Sequence, residues 1–117
     1  DNGKLVVDFD VFKVRIPEGK FKNVRQYLNK PVIFGIRPES IMEAEYVQAA
    51  EEDIVVATVD VSELMGSEIY LYMSVGNHSF IARVDSHSKA RDGEQHRVVF
   101  DTNKMHLFDK ETEKAIL

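Results

Sequence analysis

The feature that most restricts the fold is a long stretch of period-2 alternation with one tight hairpin inside it. In residues 54–65, Val55, Ala57, Val59 and Val61 fall on one face, and Thr58, Asp60 and Ser62 on the other. In "EIYLYMSV" (68–75), Ile69, Leu71, Met73 and Val75 alternate with Tyr70 and Tyr72. Gly76-Asn77 follows, a two-residue loop with glycine first, which suits a type II′ turn. "HSFIARV" (78–84) then returns with Phe80, Ala82 and Val84 in phase. Side chains that alternate in this way fit a half-buried β-strand and no helix. Gly66 interrupts the first run and predicts a second turn.

The flanking sequence is also strand-like, in shorter pieces. In "VFKVRI" (11–16), Phe12, Val14 and Ile16 point one way, and Lys13 and Arg15 the other. Pro17-Glu18-Gly19 supplies a turn. "FKNVRQYLNK" (21–30) puts Phe21, Val24 and Leu28 at i, i+3 and i+7, which predicts an amphipathic helix of about two turns, closed by Pro31. "VIFGIR" (32–37) is a strand that stops at Pro38. Residues 38–53 read as a loop or frayed helical turn, and 85–95 as an exposed connection with Asp92-Gly93 at its tip. "HRVVF" (96–100) and "MHLF" (105–108) are the last strands, followed by a polar, helix-compatible tail. About seven short strands without βαβ units predict an all-β barrel or sandwich.

Length and charge narrow the function. The 117 residues suffice for one domain with one core, and no linker or repeat divides them. A net charge of −5 argues against nucleic acid, whose phosphates favour a basic surface. There is no cysteine, hence no disulfide framework or thiolate chemistry. No apolar run reaches the roughly 20 residues of a membrane helix, and no signal peptide is visible. The chain opens with Asp1-Asn2-Gly3 rather than Met, as a piece of something longer would.

No catalytic constellation holds together. A phosphate loop, a G-x-S-x-G elbow and an H-E-x-x-H helix are all absent. His78, His87, His96 and His106 are scattered, so a metal site would need folding to gather two or three of them, His78 and His96 being the candidates. Glu43, Glu45, Glu51, Glu52 and Asp53 form an acidic cluster that reads as a solvated surface, without the desolvated partner that acid–base work needs. Tyr70 and Tyr72 on an outward face suit packing or an interface. Ser86, Ser88, Lys89 and Arg91 in one loop hold some of the donors an oxyanion pocket wants, without a recognisable spacing.

Three motifs occur in order. They are Gly35-Ile36-Arg37-Pro38-Glu39, then Val61 to Tyr72 with Glu63 and Gly66 (Met65 inserted before the glycine), then His106-Leu107-Phe108-Asp109 with Glu111-Thr112. With the approach "IPEGKFKNVRQYLNKPVIFG", they resemble, over nearly the whole chain, the regulatory C-terminal domain of ATP-binding subunits of carbohydrate importers of the ABC class, maltose or multiple-sugar type. The resemblance implies an OB-type β-barrel with short helical segments, the transport-associated OB (TOBE) domain, spanning residues 1–117. It implies a regulatory and dimerisation role without catalysis in this piece, which has neither the phosphate loop nor the signature of the ATPase. No cofactor is then expected here, ATP and Mg belonging to the full-length subunit. The implied partners are a second copy of the same subunit or a paralogue, the permease subunits and a phosphotransferase-type regulator, with no nucleic acid and no membrane insertion. The implied location is cytoplasmic, at the inner face of the membrane. The motif residues Gly35, Arg37, Pro38, Glu39, Glu63, Gly66, His106, Phe108 and Asp109 are expected to act structurally or in regulation. The competing reading is a free-standing OB-type module that binds an oligosaccharide or an oxyanion. Arg37, restrained by Pro38 beside the gap at Gly35, is expected to bond a carboxylate or carbonyls and clamp the end of its strand, or else to contact another chain.

Overall fold

The computed structural model describes residues 5–117, apart from the side chains of residues 21 and 23. Among the described residues, nine strands form three antiparallel sheets. β1 (Val6–Asp8) pairs with β2 (Lys13–Arg15), and β3 (Val32–Gly35) with β9 (His106–Asp109). The third sheet has five strands in the order β4-β8-β5-β6-β7, with β4 Ile41–Glu43, β5 Ile54–Met65, β6 Glu68–Val75, β7 His78–Asp85 and β8 Gln95–Phe100. The chain is therefore all-β as expected, but ladder bonds do not close the described strands into one barrel.

An aromatic network joins the sheets instead. Phe9 stacks on Phe12 at 4.6 Å between ring centroids and meets Phe34 of β3 edge-on at 5.4 Å. Phe34 stacks on Phe100 of β8 at 5.9 Å, and Phe100 meets Phe80 of β7 at 5.2 Å. Offset and edge-to-face pairs at these distances contribute beyond the area they bury. Beneath them lie Val14, Ile16, Ile41, Leu71, Met73, Ala82, Val98, Met105 and Leu107.

Turn chemistry behaves locally as read. Gly76 has φ 58° while Asn77 does not share the positive φ, the pattern of a II′ loop. Gly66 has φ 67° in the matching two-residue loop between β5 and β6. The alternation of β6 and β7 also holds, with Leu71, Met73, Ala82 and Val84 buried.

Alternation fails inside β5. Val59 pairs with Met73, yet Val61 pairs with Tyr72, so Asp60 is an extra residue in a β-bulge. One inserted residue inverts the faces beyond it. Val59 is fully buried, whereas Val61, expected to share its face, is 51% exposed. The bulge lies where β5 changes partners. Its first half, Ile54 to Thr58, runs beside β8, and its second half, from Thr58 on, beside β6. The exposed tip at Asp92-Gly93 stitches this bend. Gly93 N–H donates to the Val59 carbonyl, Val59 N–H to the Glu94 carbonyl at 2.8 Å, and Asp92 Oδ1 accepts from Ser62 N–H at 2.8 Å and its hydroxyl at 2.7 Å.

Three other expectations change. The stretch 38–53 holds β4, which Ile41 and Glu43 anchor by burial against β8; three residues are too few for alternation to announce a strand. The helix over 21–30 is one α-turn, Phe21–Val24, and one 3-10 turn, Arg25–Tyr27. Val24 is buried but Leu28 is exposed, so the apolar stripe has only one described anchor. The tail is not helical. Asp109 Oδ1 accepts from Glu111 N–H at 2.8 Å and Thr112 N–H at 3.1 Å, a local turn that competes with helix, and Ala115 then bridges back to Phe108.

Candidate functional site

Two of the three motifs lie side by side. Gly35 is opposite His106, and Phe34, Ile33 and Val32 are opposite Leu107, Phe108 and Asp109. A Cβ added at Gly35 would stand 3.4 Å from the Phe108 ring, so the third motif lies against the gap at Gly35. His106 stacks loosely on Phe108 at 6.3 Å and is exposed. Asp109 organises the turn already described.

The ladder of β3 ends at Gly35, two residues earlier than the strand expected over 32–37, and Pro38 opens the next turn. Pro38–Ser40 forms a 3-10 turn closed by Ser40 N–H donating to the Arg37 carbonyl at 2.9 Å. Arg37 points into solvent and has no side-chain hydrogen bond or ion pair among the described residues. The expected clamp is therefore not made among the described residues, and the turn holds itself through the Ser40-to-Arg37 backbone bond. Glu39 is exposed too, and its charge is felt at Arg83 of β7.

The second motif presents an outward face on β5–β7. Glu63 is opposite Tyr70, and Tyr70 opposite Arg83. The Tyr72 hydroxyl donates to Glu63 Oε1 at 3.4 Å, and the negative charge of Glu63 raises the Tyr72 pKa. Arg83 Nε lies 3.2 Å from Glu68 Oε2, and its pKa is raised by a hydrogen bond with Tyr70 and then by the charge of Glu68. Tyr70 and Tyr72 do lie on the outward face, both half-buried.

Within the acidic cluster Glu45, Glu51 and Glu52 are exposed, as a solvated surface requires, and Glu43 departs from that reading. Glu43 is only 5% exposed. Its Oε2 accepts from Ser88 Oγ at 2.6 Å and meets His96 Nε2 at 2.8 Å, while Ser88 Oγ accepts from Ala90 N–H at 3.2 Å. Glu51 bonds Arg97 at 2.6 Å, and Asp53 takes a two-pronged bond from Arg15. Burial of Glu43 was not legible because the sequence does not show that Ser88 and His96 converge on it. These three groups resemble catalytic types, yet Ser88 and His96 both bond the carboxylate and not each other. A nucleophilic serine needs its base on the hydroxyl, so the arrangement is a structural lock. It also removes Ser88 from any oxyanion pocket, since a buried carboxylate sits where the anion would need donors. Arg91 Nη1 meanwhile donates to the Ala90 carbonyl at 3.0 Å.

The histidines do not gather. His78 meets Phe9 edge-on at 5.1 Å, His87 bonds Asp85, and His96 bonds Glu43. Among the described residues no three His, Cys, Asp or Glu side chains could hold a metal ion together. No described helix is long and apolar enough to cross a membrane.

The comparison with known proteins follows the same geometry. A family model described as "TOBE domain" matches residues 34–108, more than half of the chain, from the glycine motif of β3 to the Phe108 of β9 that pairs beside it. The chain belongs to the TOBE domain family. A model described as "MalK OB fold domain" matches residues 1–41 of this TOBE domain. It is 45% identical over 104 residues to the "Oligosaccharides import ATP-binding protein MsmX" of Bacillus subtilis (strain 168), covering 86% of this chain and 28% of that protein. It is 42% identical to the "Multiple sugar-binding transport ATP-binding protein MsmK" of Streptococcus mutans, covering 95% and 30%. It is 39% identical to the "Trehalose/maltose import ATP-binding protein MalK" of Thermococcus litoralis, covering 94% and 31%. The TOBE domain thus spans less than a third of the length of these relatives.

Proposed function

We propose that this TOBE domain is the regulatory and dimerisation domain of the ATP-binding subunit of a sugar ABC importer, and that it performs no catalysis by itself. The observation that carries this reading is the match of nearly the whole chain to proteins named as sugar import ATP-binding proteins, of which it covers only a minor part. The sequence supports the second half, since no phosphate-cradling loop occurs in it. The nine motif residues then serve architecture or regulation: Gly35, Phe108 and Asp109 shape the β3–β9 pair, Gly66 the hairpin, and Arg37 and Glu39 are presented to solvent beside the Pro38 turn. An exposed Arg37 without a partner among the described residues favours a contact with another chain, such as a second copy of the subunit, the permease subunits or a phosphotransferase-type regulator. The location that goes with this reading is the cytoplasmic face of the membrane.

The test is a chimera in which this chain replaces the matching region of the Bacillus subtilis MsmX protein, paired with titration of the free chain. The chimera is expected to support oligosaccharide uptake in cells lacking MsmX, and the free chain to take up no Mg-ATP at micromolar concentrations. A free chain that binds Mg-ATP or an oligosaccharide, with a chimera that is inert, would sink the proposal.

A further inference from the structure

Asp92-Gly93 is the one Asp-Gly step in the chain. In such a step the backbone nitrogen after the aspartate attacks the side-chain carboxyl carbon. Water leaves, and a five-membered succinimide joins the two residues. Glycine hinders this attack least, since it has no Cβ. Water then opens the ring at one of its two carbonyls. Opening at Cγ returns aspartate. Opening at the backbone carbonyl gives isoaspartate, whose main chain runs through Cβ and Cγ and leaves the former backbone carboxyl as a side group. The water lost is regained, so the product has the mass of the starting chain.

The fold needs both members of this step. Glu94 N–H donates to the Arg91 carbonyl at 3.1 Å across a turn in which Gly93 has φ 83°, the value that the third position of a type II turn reserves for glycine. Asp92 supplies the acceptor that Ser62 uses. Both residues are exposed, so water has access to them. The same bonds restrain both reacting atoms. Gly93 N–H is engaged by the Val59 carbonyl at 2.6 Å, and Asp92 Oδ1 by Ser62 N–H at 2.8 Å and its hydroxyl at 2.7 Å. Ring closure strips Gly93 N of the proton that Val59 accepts. It also moves the carboxyl carbon onto that nitrogen, away from the position that Ser62 fixes.

We propose that Asp92-Gly93 is an isoaspartate-forming site, that the stitched β5 bulge of the folded chain holds the reaction in check, and that conversion unpicks the bulge. Isoaspartate adds one main-chain atom between residues 92 and 93 and shifts the free carboxylate away from the place where Ser62 holds it. Val59 accepts from Gly93 and donates to Glu94, so the added atom puts this exchange out of register. What is loosened is the bend that keeps Val59 buried and Val61 exposed.

The test is incubation of the chain in warm neutral buffer over several weeks, folded and, in parallel, unfolded in guanidinium chloride. Lys-C digestion releases the peptide 90–104, in which chromatography separates isoaspartate from aspartate and an isoaspartyl methyltransferase tags it. This peptide excludes Asn2-Gly3, a step of related chemistry outside the described residues. Conversion is expected to be at least about tenfold slower in the folded chain, because several bonds must open together before the ring closes. Ser62→Ala, checked for folding by circular dichroism, is expected to convert about two- to tenfold faster than folded wild type, having lost the hydroxyl bond. The isoaspartyl chain, purified after refolding, is expected to melt at a lower temperature than the original, and treatment with the methyltransferase and its methyl donor to bring the melting temperature back. Equal rates in the folded and unfolded chains, a Ser62→Ala chain no faster than wild type, or no isoaspartate in either sample would overturn the protected site. An isoaspartyl chain that melts like the original would overturn the unpicking of the bulge.

Discussion

Glu43 and His96 lie 2.8 Å apart, Oε2 to Nε2, across the β4–β8 pair, with the carboxylate almost wholly removed from water. Together with the 2.6 Å bond from Ser88, this ties the short strand after the Pro38 turn to the β7–β8 connection. A buried acceptor with two partners is costly to disturb, because removing it strands the groups that remain. Glu43→Ala is therefore expected to lower stability by about 1–3 kcal/mol, with Ser88→Ala somewhat less, as Ser88 leaves the histidine in place. Urea denaturation of the wild type and both variants checks this; an unchanged midpoint for Glu43→Ala would show that the lock is not formed.

The bulge at Asp60 separates two residues that alternation would treat alike. Leu71 is fully buried, and Leu71→Ala is expected to cost about 2–5 kcal/mol as a core truncation. Val61→Ala is expected to stay within about 0.5 kcal/mol of wild type, as for a surface change. Thermal and chemical denaturation distinguish them. A large loss at Val61 would mean that β5 keeps its period straight through Asp60.

Arg37 offers a second contrast between sequence and fold. Its guanidinium is exposed and has no partner among the described residues, so Arg37→Ala is expected to alter the stability of the isolated chain by less than about 0.5 kcal/mol. Arg37→Lys is expected to behave the same way. Denaturation at low and high salt is the measurement. A loss of more than about 1 kcal/mol in Arg37→Ala, partly recovered by lysine, would restore the clamp.

Asp85 couples the fold to acid. The backbone N–H of His87, at 2.8 Å, holds its carboxyl below the usual aspartate range, and the His87 ring adds to this. A group whose pKa is depressed by folding contributes stability above its unfolded value and loses it as pH falls through the folded one. Wild type is accordingly expected to exceed Asp85→Ala in melting temperature at neutral pH. That margin should shrink as pH falls through and below the unperturbed value of about 3.9. Both side chains are exposed, so the margin is small and salt-sensitive. A margin that grows on acidification would contradict the assignment.

Local chemistry was legible in the residues themselves. The strands 68–75 and 78–84, the loop at Gly76, the break at Gly66 and the turn that opens at Pro38 follow from alternation, from glycine's access to positive φ and from proline's missing donor. The motif order was equally readable, and it led to the family.

What tertiary structure decided were the relationships between segments far apart in the chain. Gly35 meets His106, Glu43 meets Ser88 and His96, and Asp92 reaches Ser62, each across 30 to 71 residues of sequence. No local pattern encodes such a pairing, because a carboxylate in a loop reads as solvated until its donors arrive, and a three-residue strand has too little alternation to show. The Asp60 bulge belongs to the same class. It exists because β5 must bend from β8 to β6, and that need arises only when both neighbours are in place.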